Sequence, residues 1–210
     1  AFDTQKSWGL FFHPDLLKGT SLAANIRSYS FFSYQNNEAL HLSEKERAMI
    51  IDITDKIDYE LSQNIDNHTQ TLLVSNIELL LNYCIRFYDR QFITRKVENK
   101  GILVRFEEFL INYFKNGNVS ENGLPSVKIC AAELGLTPNY LSDLLKKETG
   151  KNTQEHIHYF LVEQAKNKLL GTENTVSEIA YTLGFDYPQY FSKMFKKYTG
   201  YSPAAFRNLD

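Results

Sequence analysis

Two lysine pairs, Lys146-Lys147 and Lys196-Lys197, stand fifty residues apart, each in the last turn of a helical pattern that opens on a polar, exposed first turn. Polar side chains near a helix start can read base edges, while lysines and neighbouring hydroxyls hold phosphates. That is the chemistry of a helix laid in a DNA groove. Other chemistry has little support. The histidines are His13, His41, His68, His156 and His158; the last two lie two apart on a helix and face different ways, which is wrong for one metal ion. No carboxylate cluster, glycine-rich phosphate loop or Cys/His ligand spacing is present, and Glu107-Glu108 and the acids of 52–60 read as a solvated helix face. The residues therefore predict no catalytic site, no metal and no cofactor.

The elements that position the lysines occur twice. Val127-x-x-Cys130-Ala131-x-x-Leu134-Gly135 is matched by Val176-x-x-Ile179-Ala180-x-x-Leu183-Gly184 at an offset of 49. Tyr140-x-Ser142 with Lys146-Lys147-x-Thr149-Gly150 is matched by Tyr190-x-Ser192 with Lys196-Lys197-x-Thr199-Gly200 at an offset of 50, so the second turn is one residue longer. Each copy reads as a helix-turn-helix. A short helix begins at Ser126 or at Thr175, the latter with Glu178 completing a capping box. It ends at Gly135 or Gly184, where glycine supplies the left-handed turn. Thr137-Pro138 launches the next helix in the first copy; in the second, Asp186 is expected to cap, with Gln189 three residues on. An αα-hairpin used only for packing explains one copy, but two copies with matching polar faces favour DNA.

Upstream, Ser43 and Glu46 form a capping box for a helix with the stripe Ile50, Ile53, Ile57, Leu61 and Ile65. Asn67 and Gln70 can cap the next helix, whose stripe is Leu73, Ile77, Leu80, Cys84 and Phe87 and whose apolar surface is broad enough to pack on two sides. A third helix is expected from about Ile102 to Lys115, stopping at Gly117. Residues 8–13 resemble a strand ended by Pro14, residues 21–42 are aromatic and irregular, and the loop 117–125 is the best boundary. The fold expectation is thus mainly α: helical linker or dimerisation segments, then two helix-turn-helix units joined by a central helix, with a short β remnant at the N-terminus.

Length and composition are compatible with one or two folded domains: 210 residues, 43% hydrophobic and 23% charged. Cys84 and Cys130 sit in apolar helical patterns, so a reduced, cytoplasmic setting is expected. The apolar stretch Leu72–Tyr88 is interrupted by Asn76, Glu78, Asn82 and Arg86, which excludes a membrane span there. No signal peptide is evident. The lack of an initiating Met and an opening inside a strand-like run predict a fragment of a longer protein.

At the motif level the sequence resembles the AraC/XylS transcription regulators. Over about 123–207 the resemblance rests on Ala131-x-x-Leu134-Gly135-Leu136-Thr137-Pro138-x-Tyr140-Leu141, Leu145-Lys146-Lys147-Glu148-Thr149-Gly150, Ala165-x-x-x-Leu169-Leu170 and Ile179-Ala180-x-x-x-Gly184-Phe185. The closing run Tyr190-Phe191-Ser192-x-x-Phe195-Lys196-Lys197, Gly200-Tyr201-Ser202-Pro203 and Phe206-Arg207 is the most specific part. A weaker likeness at Phe11-Phe12-His13-Pro14-Asp15-Leu16-Leu17 resembles the end of the cupin-like sensor that many members carry. The implied organisation is a sensor remnant over 1–42, linker and dimerisation helices over 43–122, and a tandem helix-turn-helix DNA-binding domain over 123–210.

The resemblance implies that a helix from about Thr153 to Leu170 joins two units that enter successive major-groove segments. Positions matching the family's base-contacting sites are Asn139, Ser142 and Asp143, then Pro188, Gln189, Ser192 and Lys193. Asn139 and Gln189 suit adenine, and Lys193 suits guanine. Thr137, Tyr140, Lys146, Lys147, Tyr190, Lys196 and Lys197 suit phosphates. Leu141, Leu144, Leu145, Phe191, Met194 and Phe195 are assigned to packing. Asp143 stands where a basic residue is common and would repel phosphate unless it accepts from cytosine N4. Leu161 replaces a common arginine, removing one backbone contact.

The function expected is a sequence-specific transcriptional regulator, by likeness an activator, with duplex DNA as partner. It is expected to be a homodimer through the 44–95 helices. RNA polymerase is a further partner, and a small-molecule effector would act through the missing sensor; no membrane is involved. The alternative is a helical protein-interaction module without direct DNA binding. The net charge of −2 opposes a simple nucleic-acid coat. Residues 123–210 nevertheless carry 10 basic against 9 acidic side chains, so a small net charge coexists with local basic faces and predicts modest single-chain affinity.

Overall fold

The structure is a computed structural model that describes residues 9–115, 119 and 122–208. Its α-helices, in chain order, are α1 (Ser21–Asn25), α2 (Glu44–Leu61), α3 (Thr69–Thr94), α4 (Lys96–Lys115), α5 (Val127–Leu134), α6 (Pro138–Thr149), α7 (Thr153–Gly171), α8 (Val176–Thr182), α9 (Pro188–Thr199) and α10 (Pro203–Arg207). Single 3-10 turns cover Pro14–Leu17, Ile26–Ser28, Ser30–Ser33 and Asn36–Glu38. The chain forms two compact units. One comprises residues up to Phe32 together with Leu40–Tyr88, and the other comprises Ser33–Ala39 together with the chain from Asp89 onward.

In the first unit the Ser43/Glu46 capping box opens α2 as expected, and Ile50, Ile53 and Ile57 turn inward. They meet Leu73, Val74, Ile77, Leu80, Leu81 and Phe87 of α3 in one core. Leu61 and Ile65 of the expected stripe fall outside it and are exposed, because α2 ends at Leu61. The cap of α3 is Asp66, whose Oδ1 accepts from the N–H groups of His68 and Thr69; the expected Asn67 is not the acceptor. Gln70 instead donates to the carbonyls of Leu16 and Lys18, fastening the N-terminal 3-10 turn to the helix. The aromatic segment contributes Tyr29, which donates to Asn82 Oδ1 at 3.1 Å, and Phe31, stacked on Tyr88 at 5.7 Å.

The expected N-terminal strand is a correction. Residues 9–13 form no strand, and no other strand exists among the described residues to pair with them, so their backbone groups have no ladder to join. Trp8 lies outside the described residues. So do Gly117, Asn118, Ser120 and Glu121 of the predicted boundary loop, and Asn116 just before it. The third helix begins at Lys96, earlier than Ile102, and carries Gly101 in its interior.

The second unit is built around α7. One side of α7 packs on α6, and α8, α9 and α10 also pack on it, while α4 packs on α5 and α6. The α7 side chains Ile157, Leu161, Val162, Ala165 and Leu169 are buried, so Leu161 is a core residue. Asn152 and Glu155 form the capping box that starts α7. Arg207 fastens its far end by donating from Nε to the Leu169 carbonyl at 3.0 Å and from the guanidinium to the Asn174 carbonyl.

The two turn glycines are not equivalent. Both adopt the left-handed conformation, at φ 70° for Gly135 and 88° for Gly184. A Cβ at Gly135 would meet open space, whereas one at Gly184 would meet Val119 Cγ1 at 2.5 Å and the backbone of Gly123 and Leu124 at 3.5 Å. Gly135→Ala is expected to cost about 1–2 kcal/mol, the left-handed penalty alone. Gly184→Ala should cost more, since overpacking adds about 1–3 kcal/mol. Urea denaturation of the two variants checks the order.

Candidate nucleic-acid interface

Each helix-turn-helix is assembled from local signals. Ser126 caps α5 by accepting from Ile129 N–H at 3.2 Å, Gly135 turns the chain, and Thr137 caps α6 by accepting from Tyr140 N–H at 3.3 Å, with Pro138 as the first helical residue. Thr175 and Glu178 close the capping box of α8. The expected cap of α9 is a correction. Pro188 takes the first helical position, so the cap position falls on Tyr187, which offers no side-chain acceptor, and Asp186 lies one residue too early.

The polar faces of α6 and α9 differ in what covers them. On α9, Gln189, Lys193, Lys196 and Lys197 are exposed, and Tyr190 is 62% exposed. Pro188 and Ser192 are half-buried on the same helix. Phe191 and Phe195 are fully buried beneath, as expected, and Met194 is half-buried.

On α6 the same register is occupied by the segment Ser33–Ala39. Asn139 donates from Nδ2 to Ser33 Oγ at 2.7 Å, and Tyr34 donates from its hydroxyl to Asp143 Oδ2 at 2.6 Å. The Glu38 carboxylate, 1% exposed, accepts from the Thr137 N–H and from the Thr137 hydroxyl at 2.8 Å. Asn37 donates to the Gly135 carbonyl at 3.1 Å. Tyr140 is 5% exposed, edge-on to Tyr34 at 5.1 Å and tilted against Phe92 at 5.2 Å. Ser142 shares a 3.0 Å hydrogen bond with the buried Thr153 hydroxyl. Lys146 is exposed, and Lys147 pairs with Asp89 at 3.1 Å.

Three of the expected site residues on α6 are engaged within the chain. The Tyr140 ring packs against Tyr34 and Phe92, and the Thr137 N–H and hydroxyl are taken by Glu38. Asp143 accepts from a tyrosine of its own chain. Ser33, Tyr34, Asn37 and Glu38 were invisible as partners in the sequence, lying about a hundred residues away from α6 in an aperiodic stretch.

The histidines on α7 face apart, as their spacing implies. His156 Nε2 is 2.7 Å from Thr149 Oγ1, while His158 Nδ1 is 2.9 Å from the Tyr198 hydroxyl and its Nε2 is 2.9 Å from Gln154 Nε2. Burial holds both below the usual histidine range, with Lys151 adding to the effect on His156 and Lys197 to that on His158. The unfolded chain therefore binds protons first as pH falls. The stability these two histidines support is full above their unfolded value of about 6.5 and declines below it. Melting temperature should fall on acidification through that range, and the fall should shrink in the His156→Gln, His158→Gln double variant. Cys130 is buried, and burial pushes its thiol up to about 12, leaving it unreactive.

Residues 130–209 match the family described as Helix-turn-helix domain. This part of the chain is an AraC/XylS-type helix-turn-helix domain. The transcriptional regulatory protein YesN of Bacillus subtilis is 42% identical over 76 residues, spanning 35% of this chain and 21% of that protein. The HTH-type transcriptional regulator YijO of Escherichia coli is 25% identical over 174 residues, spanning 83% of this chain and 58% of that protein. The chain thus covers less than two thirds of either relative. The solved C-terminal domain of the two-component response regulator yesN from Fusobacterium nucleatum is 30% identical, covering 49% of this chain and 97% of that one, with a TM-score of 0.42. In the AraC/XylS-type domain, α7 is the helix that joins the two units, and α6 and α9 are the second helix of each.

Proposed function

We propose that the protein is a sequence-specific DNA-binding transcriptional regulator in which α6 and α9 are the recognition helices. The observation that carries this reading is the exposed face of α9, where Gln189 and Lys193 stand ahead of Lys196-Lys197 on a helix anchored by two buried phenylalanines. In this reading Gln189 and Lys193 read base edges, with Pro188 and Ser192 in van der Waals or hydroxyl contact, and Tyr190, Lys196 and Lys197 hold phosphates. Asn139, Ser142, Asp143, Thr137, Tyr140, Lys146 and Lys147 hold the matching places on α6. No helix among the described residues is long and apolar enough to cross a membrane.

Homodimerisation through the 44–95 helices, contact with RNA polymerase, transcriptional activation, a cytoplasmic location and control by a small-molecule effector belong to the same proposal. Exposed Ile51, Leu72, Leu79 and Ile85 support a self-associating surface on α2 and α3. The test is binding of the chain to duplexes selected from a random-sequence pool, followed across salt concentrations. A regulator contacting phosphates loses affinity with a log-log slope of about −0.9 per phosphate. Affinity that is absent, or that ignores salt, overturns the reading in favour of a protein-interaction module.

A further inference from the structure

We infer that the segment Ser33–Ala39 is an autoinhibitory strap that keeps the first recognition helix from DNA until it is displaced. This inference rests on the reading of α6 as a DNA-contacting helix. Three observations converge on it. The strap engages two of the three α6 side chains at the expected base-reading positions, the Asn139 amide through Ser33 and the Asp143 carboxylate through Tyr34. It also buries Tyr140 beneath Tyr34. Finally, it places a buried carboxylate, Glu38, on the backbone N–H and hydroxyl of the α6 cap residue.

A helix N-terminus with free donors is where an anion binds, and in a groove-bound recognition helix that anion is a DNA phosphate. Glu38 stands in for that phosphate: an oxygen pair of the same charge sign, bound to donors that a duplex would need. A strap and a duplex therefore compete for one set of atoms. The second unit provides the contrast within the same chain. Tyr190 is 62% exposed where Tyr140 is 5% exposed, and Gln189 and Lys193 lie open. The closed form engages DNA through α9 alone, and release of the strap adds α6.

Apparent affinity scales with the fraction of molecules whose site is free, so weakening the strap should tighten binding. Two substitutions do this while leaving α6 intact. Glu38→Gln removes the charge and one acceptor; Tyr34→Phe removes only the hydroxyl on Asp143 and keeps the ring, so it preserves the fold if Glu38→Gln disturbs it. The probe is a mixed-sequence duplex of about three helical turns, ~30 base pairs, titrated by fluorescence anisotropy against the whole chain. Expected are roughly tenfold tighter binding for Glu38→Gln and about threefold for Tyr34→Phe, with a steeper salt slope as α6 contacts are gained.

Hydrogen exchange adds a readout on the unmodified chain. Adding the duplex should speed exchange of the backbone amides of 33–39. Unchanged or weaker binding by folded Tyr34→Phe, or protection of 33–39 by DNA, overturns the strap while DNA binding by α9 stands. If neither the parent chain nor either variant binds duplex DNA at low salt, the regulator reading itself fails, and the strap with it.

Discussion

Phe195→Ala should destabilise the second unit by about 3–5 kcal/mol, the range for truncating a buried phenylalanine and leaving its cavity. The ring is fully buried, lies edge-on to Phe206 at 5.3 Å and faces Phe191 at 5.8 Å. Phe206 belongs to α10, which also carries the Arg207 clamp on the end of α7, so the loss reaches three helices at once. A penalty of that size is a large share of the stability of an ordinary domain. Urea denaturation followed by far-ultraviolet circular dichroism should show it as a lower midpoint. Met194→Ala, one residue earlier and half-buried, should cost clearly less; equal costs would mean that the phenylalanine cluster is not the core of the unit.

The second large effect concerns recognition. Gln189→Ala and Lys193→Ala should each weaken binding to a selected duplex by about 1–3 kcal/mol and relax sequence preference at the base they face. Both side chains are exposed on α9, so neither truncation should lower thermal stability noticeably. Lys196→Ala is the informative contrast: it should weaken all duplexes about equally and reduce the salt slope by about one. A competition assay between the selected duplex and a scrambled one separates the two outcomes. If Lys193→Ala behaved as Lys196→Ala, Lys193 would be a phosphate ligand and the base-reading assignment on α9 would shift to Gln189.

What could be read in the sequence, and what could not, divides by the reach of the interactions. Ser43 with Glu46, Ser126 with Ile129 N–H, Thr137-Pro138 and Thr175 with Glu178 are all made within three or four residues, so spacing alone reveals them. The left-handed turn at Gly135 is of the same kind. The cap of α9 falls on Tyr187 and not on Asp186 because the longer second turn shifts the helix start without a polar residue to mark it. The run at 9–13 has strand-like residues, but a strand is defined by a partner, which residue types do not supply. Ser33–Ala39 lacks periodicity of either kind, and every bond it makes to α6 spans about a hundred residues. Tyr34, Asn37 and Glu38 therefore gave no local sign of the helix they meet.

The strap runs without a break into the first compact unit at both ends, at Phe32 and at Leu40. Its competition with DNA is consequently intramolecular, and dilution does not weaken it. A tethered ligand of this kind acts at an effective concentration on the order of millimolar. A duplex already held by α9 competes on the same terms, so the balance on α6 is set by the contacts each makes and not by concentration, and a displacement at either end of 33–39 changes how many recognition helices the chain presents.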